Sequence, residues 1–158
     1  MRLCDVLSES SILVDLHGLD KWELIERLTD QFVESGQAPA GWREAILGSL
    51  KAREEQSSTG MQDGFAIPHC RMDDPIDSTL ISLAVLAEGM DFEAIDGQPT
   101  NLVVCLVTPR KQNREHLRIL AEIAQLFANP EFRAELLAAK DSEQALAIIR
   151  AGEEKMGV

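Results

Sequence analysis

Cysteine is sparse in this chain. Only Cys4, Cys70 and Cys105 occur among 158 residues, and no two of them form a Cys-x-x-Cys pair. An odd, scattered set cannot all be joined in disulfides, which excludes a disulfide-stapled secreted scaffold and points to free thiols in a reducing compartment. Basic residues are also scarce. The 15 Lys and Arg stand against 27 Asp and Glu, a net charge of -12. Such a field repels a phosphate backbone, so nucleic acid is not expected as a partner, whereas a protein with a basic docking face is permitted. No apolar run approaches the ~18 residues of a spanning helix. Asp5 and Glu9 stand where a signal peptide would carry its apolar centre, so the expectation is a cytoplasmic protein without membrane insertion. Glycine-rich nucleotide loops and the Gly-x-Ser-x-Gly nucleophile elbow are missing, as are internal repeats and low-complexity linkers. Cys70 beside His69 lacks the further ligands that zinc requires, so neither a metal nor a cofactor is expected.

What remains is ordinary globular material, 45% hydrophobic and 27% charged, of a length that suits one domain over 1–158. Ile12–Leu16 is a β-branched-rich run ended by His17-Gly18, and reads as a strand and a turn. Asp20 with Glu23 resembles a capping box. Leu24, Ile25, Leu28 and Phe32 then repeat at helical spacing until Gly36. A second helix begins near Pro39, with Trp42, Ala45, Ile46 and Leu50 on one face. From Glu54 to Gly64 the chain is polar and glycine-punctuated, which predicts a loop. Phe65–Cys70 reads as a short strand. Its Pro68 lacks a backbone donor and so marks an edge or a strand end, placing His69 where strand gives way to loop.

Thr79–Ala87 and Asn101–Val107 are apolar at consecutive positions, as strands covered on both faces are. Asp96-Gly97 between them allows a hairpin-like pair, and hence a mixed sheet. A helix capped by Asn113 follows, with Leu117, Leu120, Ala121 and Ala124 on one stripe, ending at Asn129-Pro130. Two shorter helices follow, at 132–139 and from Asp141 or Ser142 to about Ala151. Strands interleaved with helices on both faces predict an α/β fold, a three-layer α/β/α sandwich with a mixed central β-sheet.

Of three histidines, His17 sits before Gly18 in a turn without polar company, and reads as a surface residue. His69 follows a stiffening proline, and an imidazole nucleophile must be neutral, accessible and rigidly aimed. Ser57-Ser58-Thr59-Gly60 and Gly64 upstream offer hydroxyls and open N–H groups, the donors a phosphoryl group needs. His116 falls in the first turn of the helix from Asn113, on a face shared with Leu120, Ile123 and Phe127. The helix N-terminus biases it toward neutral and attracts an anion. It can orient a nucleophile, or serve simply as a satisfied core histidine. Arg53 stands as either a site cation or a solvated charge at a helix end, and Lys51 and Arg71 are further cations.

Gly64-Phe65-Ala66-Ile67-Pro68-His69-Cys70 resembles the active-site signature of the type-2 enzyme IIA family of the phosphotransferase system, the fructose, mannitol and nitrogen-regulatory class. The likeness extends through Arg53-Glu54-Glu55 and Ser58-Thr59-Gly60, and through Glu115-His116-Leu117 with Leu120-Ala121. It implies a phosphocarrier: His69 as phosphoryl acceptor through Nε2, Arg53 approaching the phosphohistidine, His116 held close to His69, and Thr59 as a hydrogen-bond donor near the site. Cys70 stands where the family commonly has glycine, a change that leaves the phosphorylation reading intact and suggests altered loop flexibility or redox sensitivity. The implied donor is a histidine-containing phosphocarrier protein, HPr- or NPr-like, docking on an apolar and acidic rim around His69. With no transmembrane segment or second domain in view, the chain is not expected to be a fused permease. The nitrogen-regulatory branch is favoured. The alternatives are a sugar-transport IIA that donates to an enzyme IIB, and a module of the same fold that binds an anion or partner without accepting phosphate.

Overall fold

The computed structural model describes residues 2–157. In chain order it comprises α1 (Leu3–Val6), a 3-10 turn (Glu9–Ser11), β1 (Ile12–Leu16), α2 (Lys21–Glu34), a second 3-10 turn (Ala40–Trp42) and α3 (Arg43–Gln56). The strands β2 (Phe65–Ala66), β3 (His69–Met72), β4 (Leu80–Met90) and β5 (Thr100–Pro109) follow. The chain then runs through α4 (Asn113–Phe127), α5 (Pro130–Leu137) and α6 (Ser142–Met156). Strand order is β1-β4-β5-β2, with β3 also on β5. β1 runs parallel to β4, β4 antiparallel to β5, and β2 and β3 parallel to β5, so the sheet is mixed, as the sequence predicts.

The two long central strands explain the layers. Successive residues on a strand point to opposite faces, and residues 80–86 of β4 and all of β5 but Asn101 are buried. Ala84, Val103 and Val107 meet Leu24, Leu28 and Phe32 of α2 and Ile46 and Leu50 of α3. Leu83, Val104 and Leu106 meet Ile119, Ile123 and Phe127 of α4, Leu136 of α5 and Ile149 of α6. Each such side chain contributes about 1.5–3 kcal/mol by leaving water, which anchors the site-bearing ends of α3 and α4 to the sheet. Among the described residues, no helix is long and apolar enough to cross a membrane.

Local signals place most boundaries. Asp20 accepts from Glu23 N at 2.9 Å and Glu23 returns the bond to Asp20 N at 3.1 Å, the capping box read from sequence. Pro39 leads first into the 3-10 turn, and α3 starts four residues later. The polar stretch expected as loop from Glu54 begins after Gln56. Glu54 is only 2% exposed and belongs to the last turn of α3.

α4 buries His116, Ile119, Ile123, Leu126 and Phe127, the face that the sequence assigns to His116, and leaves Leu117 on the second stripe 58% exposed. Both stripes recur every three or four residues, and only the bulk required against the sheet distinguishes them. Two expectations are corrected. Gln112, not Asn113, occupies the N-cap position of that helix. α6 continues to Met156, well past Ala151, because the carboxylate of Glu153 is taken inward. It accepts from Leu3 N at 2.7 Å and Cys4 N at 3.1 Å, which ties α1 down and breaks the apolar pattern.

Candidate functional site

The edge strand of the sheet is broken in the middle. β2 and β3 both align on β5, and Ile67-Pro68 separates them. Pro68 keeps its inward bond, its carbonyl accepting from Leu106 N at 2.9 Å. Its missing N–H would lie on that same inner side, so the proline interrupts the ladder to β5 and leaves the outer side of the edge unaffected. Upstream that side is covered, since Met61 N donates to Phe65 O and Ile67 N to Thr59 O. Beyond Pro68, among the described residues, no strand pairs with the outer side of β3. His69 therefore opens a strand rather than ending one, at the point where the cover stops.

Alternation along β3 divides its residues. Cys70 and Met72 pack with the α2/α3 core. His69 and Arg71 point to the α4 side, where Arg71 Nη1 donates to Asn113 Oδ1. The half-buried ring of His69 is fixed by a 2.7 Å bond between Nδ1 and Ile67 O. A carbonyl only accepts, so Nδ1 carries the hydrogen and Nε2 keeps its lone pair. Burial holds the pKa of this imidazole below the usual 6.5. The Ile67 carbonyl opposes that shift, and the nearby charges of Arg53 and Arg71 add to it.

His116, 5% exposed in the first turn of α4, lies with its ring centroid 5.6 Å from that of His69, the planes tilted by 46°. Its Nδ1 is 2.6 Å from Oγ1 of Thr108 near the end of β5. Burial, followed by the proximity of His69 and Arg71, pushes its pKa down to about 4. Both rings are therefore neutral at pH 7.

The two histidines share a groove of about 610 Å³ between the end of α3 and the start of α4, lined also by Arg53, Arg71, Arg110 and Asn113. Three guanidinium groups and no carboxylate line it, on a chain of net charge -12. The expected acidic rim is thus absent from the lining, while the apolar part is present as Leu117 and Leu120. Arg53 Nη1 donates to Ser57 O at 3.0 Å. Arg110 pairs with Asp73 at 3.2 Å, whereas neither Arg53 nor Arg71 has a carboxylate partner among the described residues. Neutral nucleophile and underused cations together suit an incoming phosphoryl dianion.

Thr59 does not line this groove. It is 5% exposed, and its Oγ1 donates to Glu54 Oε2 at 2.6 Å while its N–H donates to Glu54 Oε1 at 3.0 Å. A hydroxyl has one hydrogen to give, so the expected donor to the site is instead an anchor for Glu54, which also holds Lys21 Nζ at 2.8 Å. Lys51 is likewise not among the groove-lining residues. His17 lies apart from the groove and is not without polar company, since its Nε2 is 3.0 Å from Asp15 Oδ1. Cys70 is 7% exposed and burial pushes its pKa up to about 12, which removes the thiolate that redox sensitivity would need. Among the described residues no three His, Cys, Asp or Glu are grouped so as to hold a metal ion. Sequence reading missed Thr108, Arg110 and Asn113. Thr108 alone left a signal, as a hydroxyl at the end of a strand buried on both faces, where it must find a partner.

Residues 5–152 match the family model for the phosphoenolpyruvate-dependent sugar phosphotransferase system, EIIA 2. The chain is 31% identical over 149 residues to a nitrogen regulatory protein of Pseudomonas aeruginosa, covering 94% of this chain and 95% of that one. It is 30% identical over 151 residues to the fructose-specific EIIABC component of Bacillus subtilis, spanning 94% of this chain and only 23% of that protein. The crystal structure of the nitrogen regulatory protein IIA-Ntr from Neisseria meningitidis superposes with a TM-score of 0.83 at 28% identity, over 93% of this chain and 98% of that one. Mannitol IIA of Escherichia coli, in its complex with phosphorylated IIB, shares the fold at a TM-score of 0.74 and 17% identity, over 92% and 97% of the two chains. The match runs along nearly the whole chain, and the chain belongs to the type-2 EIIA family of the phosphotransferase system.

Proposed function

We propose that this chain is a phosphocarrier that takes a phosphoryl group onto Nε2 of His69 from the phosphohistidine of an HPr- or NPr-like histidine-containing phosphocarrier protein in the cytoplasm. The observation that carries the reading is the bond from Nδ1 of His69 to Ile67 O, which leaves Nε2 unprotonated in a groove lined by guanidinium groups. The lone pair of Nε2 attacks phosphorus in line. The new N–P bond forms as the donor's N–P bond breaks, and the electron pair of that bond returns to the donor's imidazole. Positive charge gathers on the His69 ring as it is phosphorylated, and the Ile67 carbonyl that accepts Nδ1–H steadies it. Donor and acceptor are both imidazole nitrogens, so the transfer is near thermoneutral and catalysis is mainly positioning and electrostatics. Arg53 and Arg71 face the migrating charge, neutral His116 donates one hydrogen bond, and the exposed Leu117 with Leu120 offers the donor protein an apolar contact. The groove has far more room than one phosphoryl group fills, which admits the delivering side chain as well.

The nitrogen-regulatory role is favoured by the match along nearly the whole of a nitrogen regulatory protein. A second reading, donation to an enzyme IIB in sugar transport, has the similarity to the fructose-specific component in its support. Incubation with the general phosphotransferase proteins and phosphoenolpyruvate is expected to label the protein with an acid-labile, alkali-stable phosphate, lost in His69→Ala. Label that persists in His69→Ala would overturn the assignment. Tight anion binding without any label would favour a non-catalytic binding module, and onward transfer to a purified enzyme IIB would favour the transport role.

A further inference from the structure

We infer that Thr108 is a positioning residue that locks His116 in the tautomer with hydrogen on Nε2, so that the second histidine meets the phosphoryl group as a donor. The role assigned to that donor rests on the phosphocarrier reading above. The tautomer itself does not.

The argument is a count of hydrogens. Thr108 is 0% exposed, and among the described residues its side-chain oxygen has one polar contact, with Nδ1 of His116 at 2.6 Å. Two arrangements satisfy that distance. If Nδ1–H donated to Oγ1, the hydroxyl hydrogen of Thr108 would have no acceptor, a buried donor left unpaired. That carries a penalty of the kind folded proteins almost always avoid. If instead the hydroxyl donates to Nδ1, its single hydrogen is used and Nδ1 accepts. The proton of the neutral ring then lies on Nε2, the nitrogen of this ring that no group among the described residues engages. His116 lines the groove and its ring faces that of His69, so this N–H is the part left for a ligand. Thr108 reaches His116 because register sets it there. On β5, Leu106 is level with His69 and Thr108 with Arg71, and residues two apart share a face, the one that α4 covers. The two neighbouring imidazoles would thus have opposite tautomers: Nδ1–H on His69, set by Ile67 O, and Nε2–H on His116, set by Thr108. One ring presents a lone pair and the other a hydrogen, the complement needed for attack on phosphorus and support of its oxygens.

Long-range proton–nitrogen correlation spectra of the histidine-labelled protein read each tautomer directly, with only His17, His69 and His116 to assign. At neutral pH, His116 is expected to show an unprotonated Nδ1 and a protonated Nε2. Thr108→Val keeps the branched shape that suits a strand and deletes the hydroxyl. It is expected to mix the tautomers of His116 and to slow single-turnover phosphorylation of His69 by roughly tenfold or more, the scale of one misdirected donor. The KM for the phosphocarrier donor should stay near the parent value. Thr108→Ser is expected to restore both tautomer and rate. Nδ1–H on His116 in the parent protein, or an unchanged tautomer in Thr108→Val, overturns the inference. A parent protein that takes no phosphoryl group, yet shows the expected tautomers and their loss in Thr108→Val, overturns the phosphocarrier reading and leaves the assignment of Thr108 standing.

Discussion

Replacing Thr59 by valine separates an anchor from a catalytic donor. The side chain keeps its shape and loses one hydroxyl, whose partner is the carboxylate of Glu54, 2% exposed. A hydrogen bond to a charged group is worth about 1.5–3 kcal/mol. The carboxylate would retain Thr59 N–H at 3.0 Å and Lys21 Nζ at 2.8 Å, which places the loss toward the lower part of that range. For a chain of this size the range corresponds to a fall in Tm of roughly 3–12 °C. The fold should survive, since a domain commonly has 5–15 kcal/mol in hand. Urea and thermal unfolding give the stability, and single-turnover phosphorylation at a temperature where both proteins are folded gives the rate. Stability is expected to drop while the rate stays within a few-fold of the parent. Unchanged stability with a rate lowered a hundredfold would refute the reasoning and return Thr59 to the site.

Glu54→Gln should cost more, about 3–5 kcal/mol in the same unfolding assay, because it strands the buried ammonium of Lys21; Glu93, 4.0 Å away, favours the low end. Arg53→Gln is expected to slow phosphorylation on the order of 10²-fold in stopped assays, with stability shifted by no more than about 0.5 kcal/mol, since among the described residues its side chain is tied only to Ser57. The pH dependence follows from the two depressed histidines. Transfer should be flat at and above pH 7 and should fall below the usual 6.5 as His69 takes a proton and loses its nucleophile. For stability, the unfolded chain binds protons at His116 near pH 6.5 and the folded chain only near 4. Stability therefore gains nothing from this residue above 6.5 and declines as pH drops from 6.5 toward 4, and His116→Gln should flatten that decline in pH-resolved denaturation.

Much of the fold was legible because its signals are local. The Asp20–Glu23 box, the consecutive apolar runs of β4 and β5 and the edge-seeking Pro68 each reflect backbone preferences spanning a few residues, and each reappears in the structure. The reading failed where a charged residue turned inward. The buried carboxylate of Glu153 hid the last turn of α6 inside what looked like a polar tail.

The family and the His69 motif could be read directly from the amino-acid order, because a short run of residues encodes both the signature and the stiff edge position after Pro68. Tertiary structure alone decided the company that His69 keeps. Ile67 O assigns its tautomer, guanidinium groups from α3, β3 and the turn after β5 line its groove, Thr108 reaches His116 across strand and helix, and Thr59 turns away toward Glu54. These contacts join residues from separate elements, and a hydrogen bond depends on tenths of an ångström that only the packing of one layer on another can set.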